Sequence, residues 1–238
     1  MRKLTNLILI CWIACALSSC EKAQIESYQN DPRIHIMSGS GGRITAVQYS
    51  FAIRNSSVIK DTVWVPVRIM GLADAKPRKI NFQVVSSETT AQEGKHFSLT
   101  DYTMPAGEYK TNLAIVIFRT PDLQDTEVKL QMKLLPSEDF EVGVGTNLDY
   151  SLTINDILSK PDNWDGTLQS RFGVFSKVKF RFMIDVLGSE VIQTITTTSI
   201  LLNELLYYKQ KVRNAWIDYE QVHGPMLDEN NNPITFPA

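Results

Sequence analysis

The sequence predicts an α+β protein in which an N-terminal antiparallel β-sandwich is followed by a mainly helical C-terminal part. Three observations carry this prediction. Seven segments between Ile34 and Ile154 alternate apolar and polar residues with period two. A turn-rich joint, Ser159-Lys160-Pro161-Asp162-Asn163-Trp164-Asp165-Gly166, ends that pattern. Beyond it, Leu202, Leu205, Leu206, Val212, Trp216 and Tyr219 recur at helical spacing.

The chain starts with a positive segment, Met1-Arg2-Lys3, and an apolar run from Leu4 to Leu17. That run is short for a bilayer span and has the anatomy of a secretory signal. It ends in Leu17-Ser18-Ser19-Cys20, which resembles a bacterial lipobox, with Cys20 the residue to be lipidated. Cleavage before Cys20 would leave 219 of the 238 residues and remove Cys11 and Cys15. The one remaining Cys would carry acyl chains such as palmitate, so neither a disulfide nor a thiolate metal site is expected. Loss of Arg2 and Lys3 takes the formal charge from -2 to -4. A mildly acidic chain offers no electrostatic footprint for nucleic acid. The domain plan is therefore a signal peptide over 1–19, a lipidated tether over 20–31, the sandwich over 32–156 and the helical region over 157–238.

The strands follow in order. Ile34 and Ile36 alternate, then Val47, Tyr49, Phe51 and Ile53. Val63, Val65, Val67 and Ile69 form one face of the next strand, with Trp64, Pro66 and Arg68 on the other. Pro66 removes a ladder donor, so an edge position or a bulge is expected there. Ile80, Phe82 and Val84 follow, then Leu113, Ile115 and Ile117; Val128, Leu130, Met132 and Leu134 precede Leu148, Tyr150, Leu152 and Ile154. Repeated strands with one apolar face indicate a sandwich. Phe175 to Leu187 fits two patterns. Val178, Phe180, Phe182, Ile184 and Val186 alternate as in a strand, whereas Lys177, Arg181 and Asp185 form a polar stripe at helical spacing. The reading leans to a helix. His223-Gly224-Pro225 stops the last helix, and Asn230-Asn231-Asn232 places a turn or small hairpin in the tail.

Thr89-Thr90-Ala91-Gln92-Glu93-Gly94-Lys95-His96-Phe97, followed by Met104-Pro105-Ala106-Gly107-Glu108 and a strand through Ile117, resembles the Calx-beta motif. The resemblance implies an immunoglobulin-like sandwich, in a family with some calcium-binding members. Here His96 replaces the usual Asp, and the acidic run at the domain end is absent. The mature chain as a whole is similar to the domain-of-unknown-function family 4843, lipoproteins of the Bacteroidota. The pieces that carry this are Thr90 to Phe97, Arg119-Thr120-Pro121-Asp122-Leu123, Lys160-Pro161-Asp162-Asn163-Trp164, Phe172 to Phe180, and Asp228-Glu229 to Phe236-Pro237. The resemblance implies an outer-membrane lipoprotein linked to glycan capture. It brings no catalytic or binding residue with it.

Catalytic patterns are weak. His35, His96 and His223 are far apart and lack zinc-ligand spacing. Gly39-Ser40-Gly41-Gly42 lacks the first Gly of a nucleophile elbow and does not precede a helix. Asp122, Asp125 and Glu127 form one acidic cluster, and Glu138, Asp139 and Glu141 another; a glycosidase would need two such carboxylates facing each other in a cleft. Asp228 to Asn232 lacks the Gly and distal Glu of an EF-hand loop. Among aromatics, Trp164 between Asn163 and Asp165 has a composition suited to stacking on a sugar, which makes these three the candidate ligand-binding residues. The competing reading packs Trp164 between the sandwich and the helices. Trp64, Tyr102 and Tyr109 could face outward, and Lys209, Lys211 and Arg213 beside Tyr207 and Tyr208 read as a solvated helix face.

The expected function is that of a non-catalytic, lipid-anchored envelope protein without cofactor. It would contact the membrane through the lipid on Cys20, and polysaccharide or other envelope proteins through its domain. Outer membrane is the expected location, with exposure at the cell surface a further expectation. A glycan hydrolase and a calcium-dependent adhesion module are the alternatives.

Overall fold

The computed structural model describes residues 31–37, 46–143, 147–197 and 200–237. Cys20, the signal segment and Gly39-Ser40-Gly41-Gly42 lie outside these residues. Among them the chain forms β1 (Arg33–Ile36), β2 (Ala46–Ser50), β3 (Lys60–Met70), β4 (Arg78–Val84), β5 (Phe97–Leu99), β6 (Tyr102–Met104), β7 (Lys110–Phe118), β8 (Val128–Leu135), β9 (Glu141–Val142) and β10 (Asp149–Asn155). The helices are α1 (Gln169–Phe172), α2 (Lys177–Leu187), α3 (Ser189–Thr197) and α4 (Leu202–His223). None of them is long and apolar enough to cross a membrane.

The strands make two five-stranded sheets, ordered β5-β7-β3-β1-β9 and β2-β10-β8-β4-β6. Alternation does the sorting. Val63, Val65, Val67 and Ile69 of β3 point into the same cluster as Leu130, Met132 and Leu134 of β8 and Leu152 and Ile154 of β10. Each fully buried aliphatic side chain of this kind stabilises the fold by roughly 1.5–3 kcal/mol.

Three strand expectations are corrected. The sheets are mixed rather than antiparallel, because β9 runs parallel to β1 and β2 parallel to β10. These partners are distant in sequence, so no hairpin forces an antiparallel direction. Strand β3 is not an edge: it pairs with β1 on one side and β7 on the other. Its ladder with β1 ends at Ile36–Val67, and the Pro66 carbonyl accepts from Met37 at 2.8 Å. The missing Pro66 donor thus faces Met37, one residue beyond that ladder, where little pairing is forfeited. Finally, β2 stops at Ser50, and Phe51 turns the chain by accepting from Arg54 N–H at 2.9 Å.

The 177–187 segment is helical, as the polar stripe indicated. Ser176 caps it, its hydroxyl accepting from Lys179 N–H at 3.0 Å. A second apolar cluster gathers Trp164, Leu168, Phe172, Phe180, Met183, Ile184, Ile192, Leu205 and Val212 with Met226, Ile234 and Phe236 of the tail. That tail forms a small antiparallel turn, closed by a bridge between Leu227 and Pro233. Gly173 ends α1 at φ +83°, and a Cβ there would meet Lys179 Nζ at 3.0 Å and Thr235 O at 3.3 Å. Only glycine fits such a turn without strain.

Candidate functional site

The chain segment 51–56 joins the sheets to the helices, since Phe51 belongs to the first apolar cluster and Ala52 to the second. Three ionic side chains fix it. Arg119, just past β7, donates from Nε and Nη2 to the two carboxylate oxygens of Asp156 at 2.8 and 2.9 Å, and from Nη1 to Asn55 O at 3.0 Å. Arg181 of α2 donates from Nη2 to Asp156 Oδ1 at 2.8 Å and from Nη1 to Ala52 O at 2.7 Å. Asp156 follows β10 directly, and its side chain is 1% exposed. Burial draws the Arg181 guanidinium below its ordinary pKa, and Asp156 acts in the opposite direction. One turn further along α2, Asp185 accepts from Ser56 N–H and from the Ser56 hydroxyl, both at 2.6 Å. The stripe of Arg181 and Asp185 therefore faces the sheets.

A cleft opens around this network. One part, about 240 Å³, is lined by Gln124, Asp125, Asp156, Leu158, Lys177, Val178 and Arg181. The other, about 300 Å³, shares Gln124, Asp156 and Arg181 and adds Arg119, Thr120 and Ser56. Leu158 and Val178 are apolar members of this lining, beside the charged and amide groups of the others.

Asp125 of the first acidic cluster lines this cleft, whereas the candidate ligand residues Asn163, Trp164 and Asp165 lie elsewhere. Trp164 is fully buried, with rings of Phe175 and Phe180 edge-on at 5.0 and 5.5 Å, and its indole N–H donates to Gly173 O at 3.1 Å. It has no free face for a sugar, so its assignment as a stacking residue is corrected: it is core. Asn163 is half-buried and donates to Ile195 O at 2.9 Å, while Asp165 is exposed and pairs with Lys160. The acidic clusters are dispersed. Asp122 is held by Lys95 and His96, Glu127 by Asn155, and Asp139 by the Lys79 N–H. Among the described residues no group of three or more His, Cys, Asp or Glu could hold a metal ion. Trp64 and Tyr109 are exposed, whereas Tyr102 points inward and donates to Ala114 O at 2.7 Å.

Two histidines are structural. His96 is buried, and its Nδ1 accepts from Gln92 N–H at 3.0 Å, so the neutral ring carries its proton on Nε2 and donates to Asp122 at 2.9 Å. Lys95, then Thr120, then His96 hold the Asp122 carboxyl well below the usual carboxylate range. His35 is also buried, and Arg68 Nε donates to its Nε2 at 3.0 Å. Burial first, and then the Arg68 charge, lower the pKa of His35.

The convergence of Arg119 and Arg181 on Asp156 is not legible in the sequence because the network joins positions 37 and 25 residues apart. The available signals were two: the helical spacing of Lys177, Arg181 and Asp185, and a charged residue directly after an apolar strand at both Arg119 and Asp156.

Two mixed sheets around one core, with helices joined to them by an Arg–Asp–Arg network beside a cleft, define an α+β protein. The family model described as a domain of unknown function, DUF4843, matches residues 28–189, more than half of the chain, and the chain belongs to that family. No curated protein matches it. Among solved structures, it is similar to a two-domain protein of unknown function from Bacteroides fragilis NCTC 9343. That likeness has 12% identity and a TM-score of 0.37, over 54% of this chain and 46% of that one. A Bacteroides ovatus protein of unknown function is 17% identical over 52% and 43% of the two chains, with a TM-score of 0.37. A third, from Bacteroides ovatus ATCC 8483, has a name that proposes carbohydrate binding; it is 12% identical over 53% and 37%, with a TM-score of 0.33. The chain spans less than half the length of each of these three structures.

Proposed function

We propose that this is a lipid-anchored protein of the outer membrane that binds a ligand without turning it over, in glycan capture or uptake. The anchor reading rests on the Leu17-Ser18-Ser19-Cys20 sequence after a positive and then an apolar segment. The binding reading rests on one observation: the cleft where Arg119, Asp156 and Arg181 lock the sheets to the helices, with Leu158 and Val178 beside charged and amide groups in its lining. We read the two sheets, with their shared core, as an immunoglobulin-like β-sandwich.

Asp125 and Asp156 both line the cleft, which is the feature a hydrolase reading would use. Both oxygens of Asp156 accept from guanidiniums, so its carboxylate is engaged in holding the junction. Two experiments test the proposal. Metabolic labelling with a fatty acid should mark the wild type and not Cys20→Ser; an unlabelled wild type refutes the anchor. Titration of a glycan panel should show saturable binding without turnover, and hydrolysis lost on Asp125→Asn would replace the binding role with the enzymatic one.

A further inference from the structure

We infer that the junction cleft selects saccharides bearing an oxyanion, a uronate carboxylate or a sulfate ester, over neutral ones. The inference rests on the binding function proposed above and names the ligand class for that same cleft. Its lining brings three cations, Arg119, Arg181 and Lys177, against two carboxylates, Asp156 and Asp125. One positive charge is therefore in excess within the lining, and Glu229, outside it, gives both its oxygens to the backbone N–H of Lys177. The two arginine side chains are 11% and 21% exposed and Asp156 is 1% exposed, so this charge sits where water screens it less than at an open surface.

Donor geometry agrees with the charge count. The hydrogen bonds of Arg181 to Asp156 and to the 51–56 segment leave from Nη1 and Nη2, and none of them uses Nε. Asp185, the nearby acid on the same helix, gives its two oxygens to Ser56 and so answers the loop rather than the cleft. Lys177, exposed and the first residue of α2, lines the cleft together with Asp125 and Gln124. An oxyanion entering between Lys177 and Arg181 supplies acceptors for their N–H groups. Charge-assisted bonds of this type are about twice as strong as neutral ones. Gln124 and Asp125 remain to orient hydroxyl groups, and Leu158 and Val178 to pack against the apolar face of a ring.

The test uses the full-length protein in detergent and three matched oligosaccharides: one of galacturonate, one sulfated and one neutral galactose oligomer. The expected result is at least about tenfold tighter binding of one or both acidic ligands, equivalent to roughly 1.4 kcal/mol, and the stronger arm names the group. In Lys177→Gln, an exposed substitution, that preference should fall about tenfold while the circular dichroism melting curve stays in place. Equal binding of all three, or tighter binding of the neutral one, overturns the inference and leaves the binding function standing. Acidic preference unchanged in Lys177→Gln also overturns it, by placing selection outside the cleft. No binding of any of the three overturns the inference and removes the cleft as support for glycan capture.

Discussion

Asp156, the residue after the last strand, and Arg181, on the second helix, meet at 2.8 Å with the carboxylate fully buried. Arg119 shares the same carboxylate, so a single acid joins a strand end, a loop and a helix. Coulomb attraction alone seldom outweighs the desolvation of such groups. Here the same two guanidiniums also donate to the carbonyls of Ala52, Arg54 and Asn55, which ties the 51–56 segment into the network. Asp156→Asn leaves two buried cations short of their counter-ion. Urea unfolding should show a loss of about 3–5 kcal/mol, and a loss below about 1 kcal/mol would mean the network is not what holds the junction.

Trp164 gives a second prediction. Trp164→Phe keeps most of the ring contact with Phe175 and Phe180 but leaves the Gly173 carbonyl without its indole donor. Stability should drop by about 1–3 kcal/mol, and Trp164→Ala should cost about 3–5 kcal/mol through the cavity it opens. Glycan affinity measured on the folded fraction of the Phe variant should be unchanged. A selective loss of affinity would restore Trp164 as a contact residue.

What the sequence shows depends on the distance over which each signal acts. Val63 to Ile69 alternates over seven residues, and the pattern alone puts one face in the core. Strands β5, β6 and β9 are two or three residues long, too short for alternation to stand out from chance. Pro66 signals a missing donor, and an edge or a bulge is the local expectation, but which neighbours a strand has is decided by long-range pairing. The cleft is illegible for the same reason: Arg119, Asp156 and Arg181 become a unit only when two apolar clusters fold against the 51–56 segment.

The pH dependence of stability should rise and then fall on the alkaline side. Lys179 is buried, its Nζ donating to Phe172 O at 3.0 Å and Val174 O at 2.7 Å, and burial pushes its pKa down from 10.5 to about 8. Between about pH 8 and 10.5 the unfolded chain therefore holds the proton that the folded chain has released, so stability increases with pH there. The gain from this group approaches about 3 kcal/mol. Burial raises Tyr102 and Tyr150 from 10.0 to about 12, so above pH 10 the unfolded chain loses protons that the folded chain keeps, and stability falls. Chemical denaturation from pH 7 to 11 should show a maximum near pH 10 in the wild type. Lys179→Met should remove the rising limb and keep the falling one; a rising limb that survives the substitution would assign it to another group.

The tail makes the last prediction, and it concerns residues beyond the family match, which ends at residue 189. Glu229 receives the first N–H of α2, with Lys177 N–H donating to both of its carboxylate oxygens at 3.0 Å. An anion at a helix N-terminus is favoured by the helix dipole and by the unpaired N–H groups there, by about 0.3–1 kcal/mol. Glu229→Gln should therefore destabilise by that amount at low salt, and by less at high salt as screening grows. Deletion of the chain after Gly224 removes far more than this contact. Met226, Ile234 and Phe236 are buried in the cluster around Trp164, and Phe236 lies under the Lys179 ammonium at 5.2 Å. Three buried apolar side chains correspond to several kcal/mol, against a total stability of about 5–15 kcal/mol for a domain. Circular dichroism of the truncated chain should show the helical signal melting earlier and less cooperatively than the sheet signal. Coincident, unshifted melting of both would mean that the tail only decorates α2, and that α1 to α4 hold their core without it.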